Sequence, residues 1–304
     1  MNTSVNTIKK IGSKEKKNIK IGFIGQGFIG KNYADDFEER GFEVIRYSRD
    51  LAFISNKEEI AKCDIVFLAV PTPSTPKGFD DGVVRSVIKL VGKGKIAVIK
   101  STIVPGTTES IQKENKDIFV MHSPEFLTEK TAAFDARNPE RNIVGIPKDD
   151  KAFNEKANFV LSILPKAPYE IVCTAKEAEL VKYGGNCWFY FKVIYINLLY
   201  DLAQRLGCDY SVISKSMSAD PRIGSTHLNP VHQGGRGAGG HCFIKDFSAF
   251  KGFYRDLIGD ELGLSVLKSL EEKNIDLLVS SAKNLDLLTG VYGEKILKKR
   301  KTKK

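Results

Sequence analysis

Short apolar runs recur through the first half of the chain, and segments of helix length separate them. The runs cover residues 20–24, 42–47, 64–70, 95–100 and 118–121, with further candidates at 142–146 and 170–172. Runs of four to eight apolar residues bounded by turn residues are typical of buried strands. Strands that alternate with helices form right-handed βαβ units, which build a parallel sheet. The pattern therefore predicts an α/β domain with a doubly wound parallel sheet over residues 19–173.

The second half of the chain has apolar residues at helical spacing instead. Residues 175–206 contain no proline, are apolar on nearly all faces from 187 to 202, and precede Gly207, a typical helix C-cap. A helix that is apolar all round needs cover on several sides. We expect one long helix, buried between domains or subunits, in an all-helical central domain over residues 174–289. Further helices are predicted at 209–217, 246–254, 261–274 and 277–288.

The net charge of +10 is concentrated at the two ends of the chain. Residues 1–20 carry six lysines and one glutamate, and residues 295–304 carry seven Lys/Arg and no acid, so the body between them is slightly acidic. Solvated, disordered basic tails are expected at 1–18 and 290–304, and nucleic-acid binding is not favoured. The chain has neither a run of eighteen apolar residues nor an apolar leader, so we expect no membrane span and no secretory signal.

The five cysteines are scattered and odd in number, without a CxxC pair. This spacing argues against a disulfide framework and against a metal site. It is typical of proteins in the reducing cytoplasm.

A glycine-rich segment, Gly25-Gln26-Gly27-Phe28-Ile29-Gly30, follows the first predicted strand and opens a helical pattern. In this context the first glycine allows a tight turn, the second lets a pyrophosphate approach, and the third allows close helix–strand packing. The diphosphate would bind at the helix N-terminus. The segment therefore predicts a dinucleotide site in a Rossmann-type sheet.

The end of the second strand predicts which dinucleotide is bound. Sites for NAD usually place an acidic residue there, bonded to the ribose 2′-hydroxyl. This chain has Ser48-Arg49, which offers no carboxylate to repel a 2′-phosphate and a guanidinium to pair with one. NAD is the expected cofactor, with NADP as an alternative that this pair favours. Asp50 is the rival acidic residue if the register differs.

Polar residues follow the carboxyl ends of three successive predicted strands. Ligands bind at this edge in open α/β sheets. The polar residues at this edge are Thr72, Ser101, Thr102, Glu125 and Glu129. Taken alone, each of them is equally consistent with a helix cap.

Five glycines precede Cys242 in the stretch from Gly234 to Gly240, and Lys245-Asp246 follow it. Glycines permit a tightly shaped turn, and a nearby cation such as Lys245 favours the nucleophilic thiolate. The alternative is a glycine-rich surface loop with an incidental buried thiol. On the long helix, Lys182 and Asn186 are four residues apart and share a face, although a snorkelling lysine and a polar contact explain them equally well.

With these residues assembled, residues 19–275 resemble the UDP-glucose/GDP-mannose dehydrogenase family. The family's landmarks occur in order. They are Gly25 to Gly30, Val70-Pro71-Thr72-Pro73, Ser101-Thr102, Ser123-Pro124-Glu125-Phe126-Leu127, Asn138-Pro139-Glu140-Arg141, Glu179-Leu180-Val181-Lys182 through Asn186, Asp220-Pro221-Arg222-Ile223-Gly224, and Gly239-Gly240-His241-Cys242 with Lys245-Asp246.

The resemblance implies a four-electron oxidation of a nucleotide sugar at C6, with UDP-glucose as the expected substrate and UDP-glucuronate as the product. Cys242 would form a thiohemiacetal and then a thioester, with Lys182 stabilising the alkoxide and Asn186 supporting it. Asp246 and Thr102 would position water, and Glu125 would act as the base. The implied cofactor residues are Gly25, Gln26, Gly27, Phe28, Ile29, Gly30, Ser48, Arg49, Thr72, Thr102, Glu129 and Lys245. The implied substrate residues are Glu125, Phe126, Leu127, Lys182, Asn186, Arg222 and Gly239, and Arg222 would reach a neighbouring subunit in a homodimer built on helix 175–206.

The sequence departs from the family pattern at four places. Ser48 replaces the acidic ribose residue, Ile244 stands where proline is frequent, and Asn197-Leu198 stands where the family has Asn-Glu. Family members continue into a third domain that covers the nucleotide, and we expect this chain to lack it. Two alternatives therefore stay open: an impaired or partner-dependent nucleotide-binding subunit, and an NADP-dependent hydroxyacid dehydrogenase, which would leave Cys242 unexplained.

Overall fold

A computed structural model describes residue 10, residue 12 and residues 16–297 of the chain. The predicted disordered tails fall mainly outside these residues, and the C-terminal part that is described includes the end of a helix that runs to Tyr292. The described residues form two compact units. One comprises the chain up to residue 72 together with 81–182, and the other comprises 73–80 and the chain from 183 onward.

The strands, in chain order, are β1 (Lys20–Ile24), β2 (Glu43–Tyr47), β3 (Ile65–Leu68), β4 (Ser74–Thr75), β5 (Gly78–Phe79), β6 (Ile96–Ile99), β7 (Phe119–His122), β8 (Arg141–Ile146), β9 (Tyr169–Thr174), β10 (Val231–His232) and β11 (Gly235–Arg236). The helices are α1 (Phe28–Glu39), α2 (Gly82–Val87), α3 (Thr107–Glu114), α4 (Ala132–Arg137), α5 (Lys151–Ile163), α6 (Ala175–Arg205), α7 (Tyr210–Ser218), α8 (Gly240–Leu257), α9 (Glu261–Ser280) and α10 (Leu285–Tyr292). Two 3-10 helices cover Ile54–Lys62 and Ile88–Leu90.

The first unit contains a seven-stranded sheet in the order β2-β1-β3-β6-β7-β8-β9. The strands β2, β1, β3, β6 and β7 are parallel to one another, whereas β8 pairs antiparallel with β7 and parallel with β9. The sheet is thus mainly parallel and Rossmann-like, as predicted, but its last two strands run in the opposite direction. The short α4 segment that joins β7 to β8 does not cross back over the sheet, so β8 starts at the edge where β7 ends.

The core of this unit lies where α1 packs on the middle strands. Phe23 of β1 is paired in register with Phe67 of β3, and their rings stack 5.0 Å apart. Phe37 of α1 contacts both rings, with centroids 5.6 and 5.3 Å away. All three side chains are fully buried. Aromatic packing at these distances fixes the last turns of α1 against β1 and β3.

The second unit is helical, as predicted, and also has two short antiparallel strand pairs, β4–β5 and β10–β11, that we did not predict. Its core is built on α6, where Tyr190 stacks on Phe247 of α8 with ring centroids 3.9 Å apart. Another face of α6 is exposed, with Trp188 63 % and Tyr195 59 % accessible. The α6 helix is therefore covered only in part within this chain.

Two helix predictions were wrong in their bounds. α8 begins at Gly240 instead of residue 246, so Cys242 lies in its first turn. The predicted helix 277–288 does not exist as one element, because α9 continues to Ser280 and a turn separates it from α10. In that turn Ala282 and Asn284 have positive φ values of 53° and 50°, which a helix cannot contain.

Candidate active site

The glycine turn after β1 has the shape that a dinucleotide site requires. Gly25 has a φ of +94°, and a Cβ at this position would lie 2.3 Å from the carbonyl oxygen of Ala69. A Cβ at Gly30 would lie 1.9 Å from the oxygen of Gly25, whereas a Cβ at Gly27 would meet nothing within 4 Å. Two of the glycines are therefore required by packing, and the exposed Gly27 leaves its backbone accessible to a ligand. The residues present fit a dinucleotide diphosphate.

This turn lies at the point where the strand order reverses. From β1 the chain proceeds to β2 on one side and then to β3 on the other. The amide of Gly25 donates to the oxygen of Tyr47 at 2.8 Å, and the amide of Ala69 donates to the oxygen of Ile24 at 2.8 Å. The crevice beyond the carboxyl ends of such strands is the ligand site of doubly wound sheets.

The residues after β2 form a small hydrogen-bonded turn. Ser48 Oγ donates to Asp50 Oδ2 at 2.9 Å and accepts from the Asp50 amide at 3.1 Å, while Arg49 is exposed. Arg46, which the sequence analysis did not single out, donates to Gln26 Oε1 in the glycine turn at 3.3 Å. Its guanidinium also pairs with Asp35 and Glu38 of α1. Because these carboxylates already neutralise Arg46, Arg49 is the better candidate to pair with an added phosphate.

Two of the predicted rim residues tie adjacent loops together. Ser101 Oγ donates to the oxygen of Val70 at 2.7 Å and accepts from the Val70 amide at 3.0 Å. Thr72 Oγ1 donates to the oxygen of Thr102 at 2.7 Å. These contacts give Ser101 and Thr72 a structural task and bring Thr72 and Thr102 together, as a shared rim requires.

The remaining cofactor candidates differ in accessibility. Phe28 and Glu129 are exposed, whereas Ile29 is half-buried. Their roles in binding the cofactor remain predictions.

Glu125 and Lys182 form a buried pair in the first unit. Lys182 Nζ lies 2.8 Å from Glu125 Oε1 and donates to the Glu125 carbonyl oxygen at 2.7 Å. The second carboxylate oxygen of Glu125 accepts from the amide of Leu127 at 2.7 Å. The Phe126 ring lies beside the pair, 5.6 Å from Lys182 Nζ and 3.8 Å from the guanidinium of Arg141. Three predicted substrate residues, Glu125, Phe126 and Lys182, are thus brought together.

A second lysine beside this pair escaped the sequence analysis. Lys100 is buried at the end of β6, where its Nζ donates to Ser123 Oγ at 3.2 Å and lies 4.3 Å from the centre of the Tyr33 ring. Burial lowers the pKa of Lys100 to about 7, with Lys182 acting in the same direction and Glu125 opposing it. Burial and the charge of Lys100 lower the pKa of His122 to about 3, so His122 is neutral. The only sequence feature that could have pointed to Lys100 was a lysine at the end of an apolar strand.

Glu179, in the first turns of α6, was also missed as an anchoring residue. Its carboxylate accepts from the amide of Gly106 at 2.6 Å and from the amide and hydroxyl of Thr108 at 2.8 and 2.6 Å. These groups belong to the N-terminus of α3, where orphan amides need acceptors. Burial raises the pKa of Glu179 against these hydrogen bonds. The residue ties α6, and with it Lys182, to the loop that follows Thr102.

In the second unit three predicted residues meet at one carboxylate. Asp246 is fully buried, accepts from Asn186 Nδ2 at 2.6 Å, and pairs with Lys245 Nζ at 2.5 Å. The backbone oxygen of Lys245 accepts from Ser74 Oγ at 2.9 Å. The buried carboxylate of Asp246 therefore holds both the side-chain amide of Asn186 and the ammonium group of Lys245 in place.

The Cys242 side chain is exposed in the first turn of α8. This excludes the alternative of an incidental buried thiol, which describes Cys187 instead, since burial strongly raises the pKa of that thiol. A helix N-terminus favours the thiolate form of a cysteine. The position of Cys242 is thus suited to nucleophilic chemistry.

Arg222 and Gly239 complete the predicted substrate residues. Arg222 is 88 % exposed and paired with Asp220 two residues earlier. Gly239 immediately precedes α8 and lies in close contact with Asn284. Across the part of the chain that the structure describes, no three His, Cys, Asp or Glu side chains are grouped as a metal site. Over the same residues, no helix combines the length and apolar character needed to cross a membrane.

Comparison with known protein families gives matches in both halves of the chain. The model of the NAD binding domain of the UDP-glucose/GDP-mannose dehydrogenase family matches residues 46–160, and the model of that family's central domain matches residues 176–275. The chain belongs to this family. The first match begins after the glycine turn, so the turn is independent support for a dinucleotide site.

Individual relatives agree with this assignment. The chain is 32 % identical over 248 residues to the putative UDP-glucose 6-dehydrogenase YtcA of Bacillus subtilis, a match that covers 76 % of this chain and 55 % of that protein. A UDP-glucose dehydrogenase from Pyrobaculum islandicum has a TM-score of 0.72 at 27 % identity, covering 86 % of this chain and 70 % of that one. A 3-hydroxyisobutyrate dehydrogenase from Mycobacterium tuberculosis, at 17 % identity, TM-score 0.67 and coverages of 93 % and 99 %, shares the fold. This family member spans about half the length of the curated relatives it matches.

Proposed function

We propose that this protein is a nucleotide-sugar 6-dehydrogenase that oxidises UDP-glucose to UDP-glucuronate. The observation that carries the proposal is the exposed Cys242 thiol at the start of α8, in the same unit as the cluster of Asn186, Lys245 and Asp246. A simple alcohol dehydrogenase has no need of such a thiol. An enzyme that oxidises an alcohol to an acid needs a nucleophile of this kind, because covalent capture retains the intermediate aldehyde.

The protein residues divide the chemistry as follows. The Cys242 thiolate adds to the aldehyde carbon, and Lys182 stabilises the resulting alkoxide oxygen by its positive charge. After the second oxidation the product is a thioester, and water attacks its carbonyl carbon and releases the uronate and the thiol. Asp246, with Asn186 and Thr102, orients that water, and Glu125 removes its proton.

A nicotinamide dinucleotide held by the turn from Gly25 to Gly30, with Thr72 and Glu129, would accept a hydride in each of the two oxidations. We propose NAD as its usual form, in keeping with the family's NAD binding domain. Ser48 and Arg49 extend this to NADP, because the turn after β2 presents an exposed guanidinium. We place the reaction in the cytoplasm, where free cysteines such as the five of this chain are usual.

We further propose a homodimer built on α6. Trp188, Tyr195, Leu198 and Leu202 of this helix are all close to half exposed or more. A row of large apolar side chains on one helix of a folded unit marks an interaction surface. A second copy would cover it and supply Arg222 to the neighbouring substrate.

The test is a panel of UDP- and GDP-hexoses with NAD and with NADP, counting the cofactor reduced per sugar consumed. Two equivalents per UDP-glucose are expected. Cys242→Ser should stop before the acid, whereas Cys208→Ser, which changes another exposed cysteine of the same unit, should have no effect. A folded protein that reduces no cofactor with any sugar would contradict the proposal. Cofactor binding without turnover would indicate a nucleotide-binding subunit, and one equivalent with small hydroxyacids would indicate a hydroxyacid dehydrogenase.

A further inference from the structure

The short turn between α9 and α10 holds the backbone that leads into Cys242. Lys283 Nζ donates to the oxygen of Gly237 at 3.0 Å, and Ser281 Oγ accepts from the amide of Arg236 at 2.9 Å. Asn284 Oδ1 accepts from the amide of Gly240 at 2.9 Å. Three points along the glycine stretch are thus fixed by three residues of the segment 281–284.

Asn284 caps a helix other than the one that it precedes in the sequence. It occupies the N-cap position of α10, where an asparagine side chain ordinarily accepts from an amide of its own helix. Here it makes no such bond. Its oxygen instead accepts from Gly240, the first residue of α8, whose own N-cap Gly239 has no side chain to offer. Asn284 therefore supplies the cap that the cysteine-bearing helix lacks.

The packing around this bond is close. A Cβ at Gly239 would lie 2.2 Å from Asn284 Oδ1 and 2.9 Å from Lys283 Cε. The φ of 50° at Asn284 is left-handed, a conformation that asparagine tolerates better than most residues. Glycine at 239 and asparagine at 284 are thus required together. The absence of a Cβ at Gly239 leaves space for the Asn284 side chain, whose oxygen can then accept from the amide of Gly240.

We propose that Asn284, supported by Lys283, is a positioning residue for Cys242. The first helical turn has amides without intrahelical partners and frays when its cap is lost. Cys242 is two residues beyond the capped amide, so its thiolate depends on the aligned amides of that turn. The inference rests on the proposed function only for the catalytic task of Cys242, since the thiol's reactivity is a property of the folded chain.

The experiment measures the alkylation rate of each thiol by iodoacetamide from pH 5 to 9, with peptide mass spectrometry to separate Cys242 from Cys208. Asn284→Gly removes the acceptor but keeps the positive φ accessible. We expect Cys242 to react about two- to fivefold more slowly at pH 7, which corresponds to the usual effect of a helix terminus on a charge. The midpoint of its pH profile should rise, while Cys208 serves as an unchanged internal reference.

Asp260→Ala is the matched control, because Asp260 caps α9 of the same unit by accepting from Leu262 and Gly263. It should lower stability and leave the Cys242 profile unchanged. An unshifted profile in Asn284→Gly, or an equal shift in Asp260→Ala, would overturn the positioning role. Alkylation needs no turnover, so a shifted profile in a chain without dehydrogenase activity would reject the proposed function and retain the role of Asn284.

Discussion

Lys182 Nζ lies 2.8 Å from Glu125 Oε1 and also contacts the backbone oxygen of the same residue, with both side chains buried. The ammonium group of Lys182 therefore holds both the carboxylate and the backbone of Glu125 in place. An ammonium group held in this way is shared between Glu125 and any negative charge that develops on a bound substrate. We infer that the carboxylate of Glu125 is released when Lys182 turns towards such a charge.

Replacing Lys182 by methionine should be strongly destabilising. It leaves the Glu125 carboxylate buried without its counter-ion, for which breaking a buried pair costs about 3–5 kcal/mol. Lys31→Met, which breaks the exposed pair with Asp35, should cost less than about 1 kcal/mol. Urea denaturation at pH 7 measures both. Equal losses in the two variants would show that the Glu125–Lys182 pair is not buried in solution.

The glycine turn and the positions of the strands along the chain were predictable because they depend on local rules. Gly25 and Gly30 are required by backbone geometry, and the apolar runs correspond to strands that differ from the prediction by one or two residues. The last two strands could not be oriented, because strand direction depends on the path of the connection and not on composition.

Other features depended on contacts between distant residues. Glu179 caps α3, about seventy residues earlier in the sequence, and Asn284 caps α8, and neither bond leaves a local signature. The continuous helix predicted at 277–288 failed for a related reason. No glycine or proline marks the turn at 281–284, which exists because its side chains bind the glycine stretch.

Two alanine substitutions should separate the tasks of the glycines in the turn. Gly30→Ala places a Cβ 1.9 Å from a backbone oxygen, and overpacking of this kind costs about 1–3 kcal/mol of stability. Gly27 has an ordinary φ of −76° and open space, so Gly27→Ala should fold normally. Its methyl group would obstruct the pyrophosphate and weaken cofactor binding about tenfold or more. Thermal unfolding and a cofactor titration distinguish the two; normal cofactor affinity in Gly27→Ala would contradict the site.

Lys100 should make stability depend on pH. Its pKa is lowered to about 7 in the folded chain, below the ordinary value of 10.5, so between these values the unfolded chain binds a proton that the folded chain does not. Stability from this group therefore rises with pH through that window, by up to about 1.4 kcal/mol per pH unit. Below pH 7 both states are protonated and the cost of burying the charge is fully present.

Lys100→Met should accordingly be more stable than the parent at pH 6–7, with a gain that shrinks towards pH 10. Glu125, Lys182, His122 and Tyr33 face the same space and are unchanged in the variant. Lys95→Met, which alters a partly exposed lysine just before the same strand, is the control and should show no such trend. Urea midpoints at pH 6.5, 8 and 9.5 measure it. A gain that does not vary with pH would mean that Lys100 stays protonated in the folded chain over this range, and that its pKa is not lowered.

The turn after β2 should decide between the two dinucleotides. Ser48→Asp restores the acidic residue that bonds a ribose 2′-hydroxyl and repels a 2′-phosphate, so kcat/KM with NADP should fall about tenfold or more while that with NAD is kept or improved. Arg49→Ala should lower the NADP value alone, because it removes the exposed guanidinium. Asn158→Asp adds the same charge on α5, which packs against β8 and β9 at the other edge of the sheet, and should leave the ratio unchanged. Steady-state rates with both cofactors at fixed ionic strength measure the ratio. If Ser48→Asp lowers kcat/KM equally with NAD and with NADP, the turn shapes the site but does not distinguish a ribose 2′-hydroxyl from a 2′-phosphate. The acceptance of NADP proposed from Ser48 and Arg49 would then be wrong.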